Sequence, residues 1–363
     1  MIPTKIKNFL ASVGLLSGTI IGAGVFSLPY LFKFSGFSVG LAYLGLAAAA
    51  CILLYGMYAE IISATPGEHR FVGYARIYLG KWAGWVGILM TIVQGVLVLT
   101  IYLILSESFA NLFFPLAAGT TKIIIFWFFA SASILLGIKK IARLELLITF
   151  GMIGIFLLLM VFGIKNIGAI SLSSFAPVWG NLFLPFSAVL FALSGRAAIP
   201  DIVRSGAPVK KVIFWGIAIS AVIYAIFAIS TVATSALVTP DAVTGLKLSL
   251  PLMMTKLLGV LGILALISSY IAIGHDTDKS LEFDFNFPWW IRFFLVMFGP
   301  LILYFAGLND FLSAVGWAGG IFISLESIFI VWMWLKMKGK KFSWRAGALI
   351  LFFAAALIYE IIK

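Results

Sequence analysis

The sequence predicts an all-α membrane protein that crosses the bilayer about eleven times. Three observations carry this. First, 63% of the 363 residues are hydrophobic and only 10% are charged, whereas a soluble domain carries roughly 25% charged residues. Second, the apolar stretches are long enough to span. A helix rises about 1.5 Å per residue, so about 20 residues cross a hydrocarbon layer of about 30 Å. Third, the stretches are continuous instead of alternating with polar residues, which excludes a β-barrel.

In chain order, spans are expected at 9–32, 36–63, 85–114, 121–138, 144–164, 181–200, 211–237, 256–275, 288–307, 310–335 and 345–362. No small-residue cleavage site precedes the first, so it reads as retained and not as a signal peptide. Residues 66–84 mix aromatic and basic side chains and suit an interfacial helix. Residues 237–256 are polar and interrupted by proline, and read as an external cap. The remaining connections are short, so the chain reads as one transmembrane domain over 1–363.

The basic residues test this order. Of the 25 Lys and Arg, 18 fall at the N-terminus and in the even-to-odd connections, 6 fall opposite, and Arg196 lies within a span. Cytoplasmic connections accumulate Lys and Arg. The N-terminus is therefore expected in the cytoplasm and the C-terminus outside, in a multi-pass protein of the plasma membrane. The net charge of +12 follows from this bias and does not indicate nucleic acid. Cys51, the lone cysteine, sits in an apolar run and reads as core filling. His69 and His275 are expected in polar connections far apart. No Cys/His/carboxylate cluster suggests a metal centre, and no polar cluster within the spans suggests an enzyme.

Spans 1 and 6 are interrupted. The first reads LLSGTIIGAGVFSLPY and the sixth FALSGRAAIPD. Gly24 precedes Pro29 as Gly195 precedes Pro200, and the two pairs are 171 residues apart. Unwound backbone at membrane depth is tolerated only where it is buried or lines a cavity, and matching interruptions in two halves point to a transporter's binding site. A packing role is the alternative, because Gly14, Gly18 and Gly22 also form a Gly-xxx-Gly face.

SGTIIGAGVFSLPY resembles the first-span signature of amino acid permeases in the amino acid–polyamine–organocation superfamily, in particular the amino acid/auxin and the aromatic and hydroxy amino acid permeases. FALSGRAAIPDI is similar to their sixth span, and IYAIFAISTVATSALVTPDAV to their seventh span and cap. GILALISSYIAIG and SAVGWAGGIFISL resemble spans 8 and 10. The resemblance implies a five-plus-five inverted repeat of the leucine-transporter type, with repeats at about 9–165 and 181–335 and an extra helix at 345–362. It implies a secondary transporter that imports an aromatic, hydroxy or other neutral amino acid by cation symport, with no cofactor and no obligatory protein partner. Carried over by position, Thr19, Gly22, Ala23 and Gly24 would hold the substrate carboxylate. Phe191, Ala192 and Ser194 would line the ammonium and side-chain site, and Gln94 a third wall.

The same resemblance implies a sodium site from Gly18 and Ile21 of span 1 with Ala265, Ser268 and Ser269 of span 8. Oxygen ligands suit Na⁺, and the lysine that proton-coupled relatives place on span 5 is missing between the ends of that span. Na⁺ is therefore expected, with H⁺ as the alternative and a non-transporting sensor as a further one. Ser268 and Ser269 bonding merely across helices is also compatible.

Ionisable residues inside spans cost about 2.5–3.5 kcal/mol each on insertion scales, so each is a functional hypothesis. Glu60, Glu107, Arg196 and Glu326 qualify. Glu60 and Glu107 lie near span ends, within reach of water. Arg196, beside the interruption, has three readings: pairing with Glu107 or Glu326, contact with substrate, or snorkelling.

Overall fold

The computed structural model describes residues 4–67, 69–135, 154–163, 172–283, 287–339 and 343–363. All regular structure among them is helical. Span 1 comprises α1 (Thr4–Ile20), a 3-10 turn (Ala23–Ser27) and α2 (Leu28–Ser35), bent by 49° at the break. Next come α3 (Phe37–Ala64), the short α4 (Phe71–Leu79), α5 (Lys81–Ala110), α6 (Gly119–Leu135) and α7 (Gly154–Gly163). Span 6 is α8 (Phe186–Ala192), a 3-10 turn (Arg196–Ala198) and α9 (Ile199–Arg204). The chain continues with α10 (Val209–Thr234), α11 (Val243–Lys247), α12 (Leu252–Phe283) and α13 (Trp289–Phe305). Span 10 is α14 (Phe311–Gly316), a π-turn (Trp317–Ile323) and α15 (Ser324–Met337), and α16 (Trp344–Ile362) closes the chain.

Seven described helices are long and apolar enough to cross a membrane, or eight with the bent first pair as one span. The shorter apolar α6, α7 and α13 occupy the expected fourth, fifth and ninth positions. The rest of the expected fifth span lies outside the described residues, as do Lys139, Lys140, Arg143, Lys165, Lys340 and Lys341 of the charge count.

α5 is the mast of the bundle. It packs against α12, α13, α4 and α6, while α1 packs on α10 and α15 on α3 and α16. Gly80 turns α4 directly into α5 at φ +93, a left-handed conformation that glycine adopts without strain. The interfacial helix expected over 66–84 is therefore only the nine residues of α4, and span 3 begins at Lys81. The expected cap is built from α11 and the turns around it. Cys51 is buried, as a core filler would be.

Two expectations need correction. Span 8 was expected to end at 275, but α12 runs to Phe283. His275 is thus inside a helix and not in a polar connection, and Asp276, Asp278 and Glu282 ride on the same helix. The apolar signal stops before the helix does, because its last two turns carry charges paired locally. Lys279 bonds Glu282 at 2.6 Å, and Arg292 approaches Asp278 at 3.4 Å and Glu282 at 3.1 Å. The second correction concerns the Gly-xxx-Gly face. A Cβ at Gly14 or Gly18 would meet nothing within 4 Å, so these two glycines do not pack a neighbouring helix.

Close packing is found at other glycines, among them one on span 10. A Cβ at Gly319 would collide with the Ser187 carbonyl oxygen of α8. Gly319→Ala should therefore push α8 off the π-turn and destabilise the protein by about 1–3 kcal/mol, the usual range for overpacking. Thermal unfolding in detergent checks this, with Gly14→Ala as the control that leaves the midpoint unchanged or raised.

Candidate functional site

The two interrupted spans meet backbone to backbone. A Cβ built on Gly24 would lie 2.6 Å from the Ala192 Cα, so only glycine allows this approach. Breaking both helices frees carbonyls and N–H groups that lipid cannot satisfy. Two tyrosines do so. Tyr55 of α3 donates to the Leu193 carbonyl at 3.1 Å and accepts from the Gly195 N–H at 2.8 Å. Tyr224 of α10 lies 2.6 Å from the Ile20 carbonyl oxygen and 3.0 Å from that of Ala192, and its hydroxyl thus joins one break to the other. Both rings are buried.

Beside this junction lies a cavity of about 100 Å³. Its lining includes Thr19, Gly22, Ala23 and Gly24 of span 1, Phe191, Ser194 and Arg196 of span 6, and Gln94 of α5. Of the residues expected at the substrate site, only Ala192 is outside the lining; it forms the floor against Gly24. A helix's first N–H groups have no partner within the helix, and the 3-10 turn starting at Ala23 brings such groups to the cavity wall.

The expected sodium set is not gathered in the same way. Gly18 is on α1 and Ile21 is the first residue past its end, and α1 packs mainly on α10. Gly18 faces open space. Ser269 on α12 lies near the Tyr102 hydroxyl of α5, and none of Gly18, Ile21, Ala265, Ser268 and Ser269 lines the cavity.

Arg196 forms an ion pair with Glu326 of α15. The two side chains are only 17% and 6% exposed. The guanidinium sits over the Phe71 ring of α4, 5.4 Å from its centroid, near the Tyr58 hydroxyl. Gln94 lies near the Glu326 carboxylate, and both line the cavity. Of the three readings of Arg196, the geometry fits internal pairing. Glu107 is half-buried near the start of α6, where a Cβ on Gly119 would meet its carboxylate. Glu60 accepts from Trp334 Nε1 at 2.9 Å and pairs with Lys338 at 3.0 Å.

Sequence reasoning missed several lining residues: Thr91, Tyr102, Asp276 and Thr277. Asp276 is paired with Arg70, just ahead of α4. A usable signal existed, since Ser269, Ile273, Asp276 and Thr277 continue one helical face past the expected end of span 8. At the α4 end the cavity wall is polar and Thr19 is exposed. Toward the α11 end it is sealed by aromatic rings. Phe26 packs edge-on against Phe109 at 5.2 Å and Phe227 at 5.6 Å, and Phe156 meets Phe227 at 4.7 Å.

The sequence profile of the tryptophan/tyrosine permease family matches residues 5–351. No curated protein sequence matches the chain. Among solved structures, the chain is similar to a manganese transporter of Eremococcus coleocola, with a TM-score of 0.68 at 15% identity over 100% of this chain and 87% of the other. It is also similar to MhsT in complex with L-phenylalanine (TM-score 0.63, 18% identity, 97% of each chain). A third likeness is to a nucleobase-cation-symport-1 family transporter with bound bromovinylhydantoin (TM-score 0.65, 14% identity, 97% and 91%). At these identities the likeness concerns the fold: a leucine-transporter-type bundle with broken helices 1 and 6.

Arg196→Ala strands the buried Glu326 carboxylate, so it should destabilise the empty protein by about 3–5 kcal/mol. Adding Glu326→Gln should recover most of that loss. An unchanged melting temperature for Arg196→Ala alone would contradict the ion-pair assignment.

Proposed function

The chain belongs to the tryptophan/tyrosine permease family, and on that premise we propose that it imports an aromatic amino acid across the plasma membrane, coupled to a cation. The observation that carries this reading is the junction of the two broken helices at Gly24 and Ala192, with one cavity lined by both. In this reading the substrate carboxylate accepts from the N–H groups of Gly22, Ala23 and Gly24 at the start of the 3-10 turn. Its ammonium is held by the carbonyls around Phe191, Ala192 and Ser194. The aromatic side chain extends past Gln94 toward Thr91 and Arg196.

Alternating access then requires each end of the cavity to close in turn. The Phe26, Phe109 and Phe227 seal serves one end, and the wall between Arg70, Asp276 and Thr19 the other. The basic bias of the connections supports a cytoplasmic N-terminus and an external C-terminus. The α4 end is then cytoplasmic, and the cavity faces inward.

Two readings of the coupling ion each have an observation behind them. For sodium, Ser268 and Ser269 supply adjacent hydroxyls at mid-helix on α12, and closure of α1 toward α12 would bring the Gly18 and Ile21 carbonyls to them. For protons, the cavity wall carries two carboxylates, Asp276 and Glu326, each beside an arginine that protonation would release.

In proteoliposomes, Gly24→Leu should abolish uptake of tryptophan or tyrosine while the protein still inserts, because no side chain fits against Ala192. Normal uptake by this variant removes the site from the broken helices. An imposed gradient separates the ions. Sodium-driven uptake that Ser268→Ala with Ser269→Ala abolishes supports the first reading. Uptake driven by a pH gradient in sodium-free buffer supports the second. Substrate binding without any flux would instead identify a sensor.

A further inference from the structure

We propose that a groove between α3, α10 and α15, separate from the transport cavity, binds the headgroup phosphate of an anionic phospholipid. The groove encloses about 330 Å³. Its deep walls are apolar or small, with Gly56 and Ala59 on α3, Ile213 on α10 and Met337 on α15, while Ser63, Lys210 and Lys338 stand at the rim. This is the profile of a lipid: a chain below and an anion above.

The depth agrees. At about 1.5 Å per residue the 28 residues of α3 extend about 42 Å, roughly 12 Å more than the hydrocarbon layer. Shared between its two ends, this brings the last turn of α3, with Ser63 and Ala64, to headgroup level, with Glu60 just below it. Trp215 and Trp332 are exposed nearby, at 51% and 44%, as expected of aromatic side chains at a membrane interface.

The charge also agrees. Glu60 is the carboxylate in the groove, and it accepts from Trp334 Nε1 and pairs with Lys338. Two lysines against one carboxylate leave an excess of one positive charge. The first turn of α10, at Val209 and Lys210, adds N–H groups without partners inside the helix. Basic pockets between membrane helices on the cytoplasmic side suit anionic headgroups, and this rim lies on the face that carries most of the chain's Lys and Arg.

The test is retention of added phosphatidylglycerol by the purified protein in detergent, read by native mass spectrometry against phosphatidylcholine. The wild-type protein should retain phosphatidylglycerol preferentially. Lys210→Ala and Lys338→Ala should each lower retention about fivefold, whereas Lys256→Ala at the other end of the bundle should not. Glu60→Gln, which frees Lys338, should raise retention, and Glu282→Gln at the same end should leave it unchanged. Because Lys210 is exposed, its variant alone decides the matter if the others fail to fold. Equal retention of the two lipids, or an equal gain from Glu282→Gln, would overturn the site in favour of diffuse surface attraction. Displacement of the lipid by millimolar inorganic phosphate alone would overturn it in favour of a free-anion site.

Discussion

The bridging hydroxyl of Tyr224 is the contact on which the architecture depends. An unbroken helix satisfies its own backbone, and lipid offers no substitute once it is broken. This chain breaks two helices and sets the breaks against each other, so the freed carbonyls of Ile20 and Ala192 point to one place. A single tyrosine from α10 reaches both. Tyr55 performs the corresponding task for Leu193 and Gly195 from α3. The helices α3 and α10, which also pack on each other, therefore act as the frame in which the breaks are held. Backbone groups that these tyrosines do not take remain for the cavity.

The same economy governs charge. Arg196 sits where the span-6 helix restarts, and an isolated guanidinium there would be expensive. Glu326, the Phe71 ring and Tyr58 surround it, each from a different helix. The pair thus ties α15, α4 and α3 to the break in span 6. Net neutrality of the pair keeps the cavity wall polar without making it strongly charged.

The fold was legible because it rests on composition and on positional signals. The lengths of the apolar runs, the lopsided distribution of Lys and Arg, and the repeated Gly and Pro at Gly24–Pro29 and Gly195–Pro200 all survive without knowledge of contacts. Most of the lining residues on spans 1 and 6 are those that the family resemblance carried over to the broken segments. The remainder was hidden for two reasons. Tyr55, Tyr102 and Tyr224 lie in apolar runs where aromatic residues are ordinary filling, and only the direction of their hydroxyls distinguishes them. Asp276 lay beyond the point where hydrophobicity falls, although the helix continues on ion pairs. Gly14 and Gly18 misled in the opposite direction: the spacing was that of a packing motif, but α1 turns that face toward open space.

The π-turn at Trp317–Ile323 also sets the register of α15. A helix advances about 100° per residue, and a π-turn accommodates one residue more than the α-helix would. Everything after Ile323 is therefore rotated by about 100° relative to an uninterrupted continuation of α14. Glu326 lies in the first turn after that point. In a straight helix its carboxylate would leave the side of the bundle occupied by Arg196, and two groups that now neutralise each other would both be stranded. A local winding defect, at Gly319 and Gly320 where the α8 backbone and the Ser187 and Glu360 side chains leave no room for a Cβ, thus aims the carboxylate at its partner.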